Sequence, residues 1–311
     1  MLLNHMMNIN KILNNRRLTL ALTGLTPQEF TALLPSFEQA WRDKKQQDYR
    51  RNRKQRVRKP GGGRKGFLRE MQDKLFFILF YYKCYPTYDV LTFLYGFDRA
   101  NGFRRQKQLT KILEKTLGRK MVLPERRLRK VEEFFEMFPE AREVFVDGTE
   151  RPIQRPKDSK QQKDKYSGKK KRHTVKNIII TDKYKRIGFL SKTEGGRQHD
   201  FSMLKEHAPP EYTPTAIKQH LDLGFKGYHV QFPYHKISMP ERKPRTRDLC
   251  KTKLLQNKKK SGWRVLIEHA ICGVKRFRIT TDVFRNKLKG SDDKAMLIPC
   301  GLWNYHLAAS R

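Results

Sequence analysis

The sequence predicts an α/β protein: a C-terminal part built on a mixed sheet with helices, preceded by an all-helical N-terminal part. Three observations lead there. Apolar residues recur at helical spacing from Phe30 to Leu113. Beyond Pro139 the pattern changes to short β-type runs: Val144-Phe145-Val146, and then Thr174 to Ile180, Asp182 and Arg186 to Leu190, which read as a β-hairpin. A long amphipathic stretch, Trp263 to Arg278, follows those runs, and strands with later helices suit a mixed α/β layer.

Taken in order, Thr26-Pro27-Gln28-Glu29 reads as a helix start, with Thr as N-cap, Pro in the first turn and Glu three residues past the cap. Phe30, Leu33, Leu34, Phe37 and Trp41 give that helix its inner face. From Arg42 to Lys59 the chain becomes strongly basic, and Pro60-Gly61-Gly62-Gly63 closes the run, which reads as a linker. A second helical block contains Leu68, Met71, Leu75, Phe76, Ile78, Leu79 and Tyr82. A short helix starts at Pro86-Thr87, Gly96 marks a turn, and a basic helix follows Asp98 with Phe103, Leu109, Ile112 and Leu113 on its inner face. Short helix, turn and basic helix is the order of a helix-turn-helix, whose second helix enters the DNA major groove. Arg99, Arg104, Arg105, Lys107 and Lys111 would be its DNA contacts. The expected division is 1–59 (helical segment and basic linker), 60–138 (helix-turn-helix domain) and 139–311 (α/β domain).

The chain has 311 residues and a formal net charge of +38, from 69 Lys and Arg against 31 Asp and Glu. Such an excess predicts salt-sensitive attraction to a polyanion, nucleic acid first and an anionic membrane second. No stretch offers the roughly 18 consecutive apolar residues of a spanning helix, and the N-terminus lacks the pattern of a signal peptide. A soluble, cytoplasmic, nucleoid-associated protein with no membrane partner is expected. Cys84, Cys250, Cys272 and Cys300 are scattered without a CxxC pair, which argues against a zinc site or a disulfide framework.

Acidic residues stand out against this background. Asp147 ends the run VFV and precedes Gly148-Thr149, so it reads as an acid at a strand end; an ordinary turn acid gives the same pattern. Asp222 lies in Asp222-Leu223-Gly224-Phe225-Lys226-Gly227, where two glycines permit a tight turn and close approach of a phosphate. Glu268 follows Arg264 by four residues and precedes Lys275 by seven, one stripe of a helix at about 100° per residue. Separated carboxylates of this kind are what two-metal phosphoryl transfer needs. The alternative for Glu268 is a plain surface ion pair.

Several strings occur in a fixed order: VDGTERPIQRP, YSGKKKRHTVKNIII, GGRQHDFSML, DLGFKGYH and RVLIEHAICGVKRFRI. They resemble DDE-superfamily transposases of bacterial insertion sequences, in the insertion-sequence-five-like branch related to Harbinger elements. The likeness runs from about Leu68 to the C-terminus. The last string fits that superfamily's Arg, Glu, Lys signature through Arg264, Glu268 and Lys275, although its upstream Tyr falls on Ser261. The resemblance implies a ribonuclease H-like catalytic domain in which Asp147, Asp222 and Glu268 bind two Mg²⁺ or Mn²⁺ ions. It implies cleavage at terminal inverted repeats followed by attack of the freed 3′-hydroxyl on target DNA. It also implies a homodimer or higher synaptic complex.

Asp200, after Gly195-Gly196, matches another family position and is either a rival metal ligand or a supporting acid and helix N-cap. Lys169, Lys170, Lys171 and Arg172 lie in a basic stretch with Tyr166 and His173 interleaved, and read as a DNA-contacting loop or a solvated hairpin tip. Lys258-Lys259-Lys260 reads as a charged loop, and Trp303, Tyr305 and Leu307 as a closing core helix. Two other functions stay open on the residues alone: a DNA-binding regulator derived from a transposase but without catalysis, and a basic RNA-binding protein.

Overall fold

The computed structural model describes residues 8–51, 66–244 and 249–310. The chain forms two compact units. One comprises Met1–Val122 with Arg276–Ile279 and Tyr305–Arg311, and the other Leu123–Lys275 with Thr280–Asn304.

The first unit is helical: α1 (Ile9–Leu13), α2 (Arg16–Thr23), α3 (Pro27–Arg51), α4 (Met71–Cys84), α5 (Tyr88–Tyr95) and α6 (Arg99–Arg119). Short polar side chains start these helices by accepting free backbone N–H groups. The Thr26 hydroxyl accepts from Glu29 N at 3.2 Å, and Glu29 in return accepts from Thr26 N at 2.7 Å. Thr87 caps α5 and Asp98 caps α6 in the same way. Gly24 and Gly96 stop α2 and α5 with φ of 78° and 68°, a backbone region that favours glycine. α4 is buried without a break from Lys74 to Tyr82, so it forms the centre of the unit.

One sequence expectation changes here. Arg42 to Arg51 continues α3 rather than opening a linker. Pairs one turn apart, Arg42 with Glu38 at 2.7 Å and Lys44 with Asp48, offset the missing apolar stripe. The Pro60–Gly63 stop lies outside the described residues.

The second unit is a mixed sheet in the order β2-β3-β1-β6-β7, with β4 and β5 also paired to β3. The central strand is β1 (Glu143–Pro152). It runs antiparallel to β3 (Arg172–Thr181), from Phe145↔Thr181 to Pro152↔Thr174. On its other side it runs parallel to β6 (Lys218–Leu221), from Glu143↔Lys218 to Val146↔Leu221. β3 turns back into β4 (Ile187–Leu190) as the hairpin that the sequence predicts. β2 is Tyr166–Ser167, β5 Glu194–Gly195 and β7 Ile237–Ser238.

Alternation along β1 divides the core. Val144 and Val146 join a cluster with Phe134, Met137 and Phe138 of the α7 region (Val131–Met137), Phe201 and Leu204 of α9 (Asp200–His207), and Tyr228 of α10 (Tyr228–Gln231). Phe145 joins the opposite cluster, with Ile267, Ala270, Ile271 and Val274 of α11 (Lys251–Lys275) and Met296, Leu297 and Cys300 of α12 (Ser291–Ala309).

Three expectations are corrected. Asp147 does not end its strand, because Gly148 to Pro152 keep pairing with β3. α11 begins at Lys251, so Lys258 to Lys260 lie on a helix and not in a loop. The stretch between the strands contains a short helix, α8 (Ser159–Lys165), capped by Asp158 through the Gln161 N–H at 2.8 Å.

Polar contacts fix the start of α12 on the sheet. Arg151, 1 % exposed, donates to Asp292 O and Asn177 Oδ1, each at 3.0 Å. Asp293 accepts from Thr193 N at 3.0 Å and pairs with Arg126 at 2.5 Å. α11 meets α12 at Gly273, where an added Cβ would collide with the Trp303 ring. Gly273→Ala should therefore destabilise the protein by about 1–3 kcal/mol through overpacking. Gly262→Ala on the same helix meets nothing within 4 Å and should gain up to about 1 kcal/mol from helix propensity. Denaturant unfolding of the two variants checks the pair.

Candidate active site

The site starts from a register. Parallel pairing of β1 with β6 ends at Val146↔Leu221, so the next residues, Asp147 on β1 and Asp222 just past β6, set an acid beside an acid. Leu221 is the last residue of β6. The chain then turns through a 3₁₀ segment, Leu223–Phe225, and Asp222 caps it by accepting the Gly224 N–H. Asp147 accepts the neighbouring Gly148 N–H at 2.7 Å.

Burial pushes the Asp147 carboxyl up to about 6 from 3.8, and the negative charge of Asp222 adds to the rise. The Gly148 N–H and Arg264 pull the other way, and Asp200 adds a further upward push.

α11 brings the remaining groups. Its buried stripe, Ile267, Ala270, Ile271 and Val274, lies against the sheet, which leaves Arg264 and Glu268 one turn apart at the edge. Arg264 Nη2 lies 3.3 Å from Asp222 Oδ2 and 3.8 Å from Glu268 Oε1, so one guanidinium bridges both acids. Glu268 is the outermost acid, with its side chain 54 % exposed. Lys275 closes α11, about 10 Å further along the axis at 1.5 Å per residue, and is half-buried. A ring stack supports this corner: Phe145 on His220 at 4.7 Å, and His220 against the half-exposed Trp263 at 5.5 Å. Burial holds His220 below its usual pKa, while its Nε2 meets Glu143 Oε2 at 2.9 Å.

Asp200 enters from α9. His199 occupies the N-cap position and Asp200 is the first helical residue, so the N-cap expectation is corrected. Its carboxylate lies against two glycines. An added Cβ would come 2.9 Å from Oδ1 at Gly148 and 2.7 Å from Oδ2 at Gly224. Oδ1 is held by Lys176 Nζ at 2.9 Å. Asp147, Asp200, Asp222 and Glu268 thus converge around one end of the β1–β6 pair.

Among the described residues, the one trio of ligating atoms mutually within 4.8 Å is elsewhere, at Glu194, Glu206 and His207. Sequence reasoning missed it, and it also missed Lys176 and Glu150. Lys176 lies at the end of a basic run and nothing in that run marks it out. The spacing of Glu194 and His207 matches no ligand motif.

The basic side chains occupy the other predicted positions. Arg99, Arg104, Lys107 and Lys111 are exposed along α6 and Arg105 is half-buried. Arg99 pairs with Asp89 at 3.3 Å. Lys169, Lys170, Lys171 and Arg172 are exposed at the turn between β2 and β3. No helix among the described residues is long and apolar enough to cross a membrane.

The family described as DDE superfamily endonuclease matches residues 146–304, a span that contains Asp147, Asp200, Asp222 and Glu268. The chain belongs to that family. It is also 29 % identical over 240 residues, 76 % of this chain and 81 % of the relative, to a "Probable transposase for insertion sequence element IS702" of Microchaete diplosiphon. No solved structure matches.

The raised Asp147 gives a pH prediction for the metal-free protein. Its folded value lies above its unfolded one, so its contribution to stability is greatest near pH 4 and falls as pH rises through 6. A rise of about two units corresponds to about 3 kcal/mol. Asp147→Asn should match wild type near pH 4 and exceed it by up to that amount above pH 7. Unfolding of both proteins with EDTA at the two pH values measures the difference.

Proposed function

We propose that the chain is a DNA transposase that binds the terminal inverted repeats of its insertion sequence, cleaves them and transfers the freed strand to target DNA. The register that leaves Asp147 beside Asp222, with Arg264 of α11 linking Asp222 to Glu268, carries this reading. Family membership supports it, because the matched span contains all of these acids. The central β1 between antiparallel β3 and parallel β6 supports a ribonuclease H-like catalytic domain.

Asp147, Asp222 and Glu268 would hold two Mg²⁺ or Mn²⁺ ions. The residues fit such ions, since the donors are hard carboxylate oxygens and burial beside Asp222 keeps Asp147 short of positive charge. When bound there, the ions supply positive charge that activates the attacking hydroxyl and stabilises the leaving oxygen.

The chain's own residues do the rest. Asp147 is anchored on the central strand, so it fixes the position of the scissile phosphate relative to the sheet. Arg264 balances Asp222 and Glu268 in the absence of substrate and is near enough to contact a phosphate oxygen once they are otherwise engaged. Lys275 extends this cationic edge along α11. In cleavage, a water oxygen bonds to phosphorus, the bond to the 3′-oxygen breaks, and that oxygen takes a proton to become the free 3′-hydroxyl. In transfer, this hydroxyl attacks a target phosphate and displaces its 3′-oxygen. No covalent protein–DNA intermediate forms.

In the N-terminal unit, α5, the turn at Gly96 and α6 form the proposed helix-turn-helix. The exposed Arg99, Arg104, Lys107 and Lys111 face double-stranded DNA there, with Arg105 supporting. In the catalytic domain of residues 139–311, Lys169, Lys170, Lys171 and Arg172 add contacts to the phosphate backbone. The protein works as a homodimer or larger complex, since two element ends must be held together, and it acts at the nucleoid in the cytoplasm.

Nicking of a plasmid that carries the element ends, with Mg²⁺ or Mn²⁺, tests the reading. Asp147→Asn and Glu268→Gln should each cut about a thousandfold more slowly or worse and still bind the ends. Variants that cut as well as wild type would overturn the assignment. Replacing Arg104 and Lys107 with Ala should lower the slope of log affinity against log salt by about one for each phosphate no longer neutralised. An unchanged slope would remove α6 from the DNA interface.

A further inference from the structure

Lys176 lies in the middle of β3, opposite Glu150 on β1, and is only 9 % exposed. Its Nζ has three partners: Asp200 Oδ1 at 2.9 Å, Gln198 O at 3.0 Å and Glu150 Oε1 at 3.3 Å. Glu150 Oε2 in turn accepts from the Thr174 hydroxyl at 3.2 Å. Two of its three protons are given in hydrogen bonds, to Asp200 and Gln198, and Glu150 adds an ion pair. A buried charge paired in this way is costly to disturb, because removing a partner leaves the other ion uncompensated.

Arg264 is the opposite case. It lies at the edge of the site with its side chain 35 % exposed, and its contacts to Asp222 and Glu268 are 3.3 and 3.8 Å. An exposed pair of that length is weak and readily exchanged. A divalent cation can therefore displace Arg264 from Asp222 and Glu268 far more easily than it can displace Lys176 from Asp200.

Asp200 also has a mechanical role. Its two oxygens fill the space left by the missing side chains of Gly148 and Gly224. Those glycines follow Asp147 and Asp222 by one and two residues in the sequence. The carboxylate thus lies against both backbone segments that carry the neighbouring acids.

We infer that Lys176 is a tethered counter-cation that keeps Asp200 out of the metal-binding set, and that Asp200 is a positioning residue that sets the spacing of Asp147 and Asp222. The inference rests on the function proposed above, with the ions held by Asp147, Asp222 and Glu268.

Calorimetric titration of the full-length protein with Mn²⁺ alone, without DNA, tests it in wild type, Asp147→Asn, Asp200→Asn, Lys176→Met and the Lys176→Met/Asp200→Asn double variant. Asp147→Asn should lose an ion. Asp200→Asn should keep the wild-type stoichiometry and weaken binding by about tenfold at most, the low end for a residue one step removed from the metal. With Lys176 gone, Asp200 becomes a free donor. Asp200→Asn in that background should then cost at least about ten times more than in wild type, a non-additivity that a purely structural role does not produce. Loss of an ion in Asp200→Asn to the extent seen in Asp147→Asn, or equal costs in both backgrounds, would overturn the inference. Unchanged Mn²⁺ binding in Asp147→Asn would instead overturn the proposed site, and this inference with it. If Lys176→Met does not fold, the comparison of Asp200→Asn with Asp147→Asn decides alone.

Discussion

Placing Asp147 beside Asp222 at the end of a parallel strand pair is electrostatically unfavourable, and much of the second unit is arranged around that conflict. Burial first, and the Asp222 charge second, raise the Asp147 carboxyl. The backbone offsets part of it, through the Gly148 and Gly224 N–H groups that each acid accepts. Arg264 offsets a further part, from a helix that the buried cluster around Phe145 keeps in place. Lys176 handles the next acid, Asp200, from within the sheet. The fold therefore holds four carboxylates close together with two cations of very different mobility. A stability-optimised sheet would have no reason to do so, and strain of this kind concentrates where a site binds charge.

The same constraint separates the roles of charge in the molecule. The net charge of +38 acts at long range on a polyanion and says nothing about chemistry. The acids act over a few ångströms and say nothing about which DNA is bound. The exposed cations of α6 and the β2–β3 turn belong to the first role, and the buried Lys176 to the second. A basic side chain's burial, rather than its place in a basic run, decides which role it takes.

Much of this was legible in the sequence where local chemistry governs. The caps at Thr26, Thr87 and Asp98 announced their helices because a short polar side chain before an apolar stripe has few other uses. The β3–β4 hairpin was visible in its β-branched run. Asp147, Asp222 and Glu268 were singled out from a strand run, a glycine turn and a helical stripe. Their convergence depends on the Val146↔Leu221 register, which joins segments about 75 residues apart and leaves no local trace. The extensions of α3 and α11 were hidden because their lysine- and arginine-rich turns lack the apolar period that marks a helix. Lys176 was hidden for the same reason, one cation among many. The glycines at 148 and 224 looked like turn residues, while their physical reason is the carboxylate of Asp200 lying against them.

Anomalous diffraction from crystals of the protein soaked in Mn²⁺ tests the central claim most directly. The account predicts manganese density between Asp147 and Asp222, within reach of Glu268, with Asp200 still bonded to Lys176. Density only at Glu194, Glu206 and His207, with none beside Asp147, would contradict it.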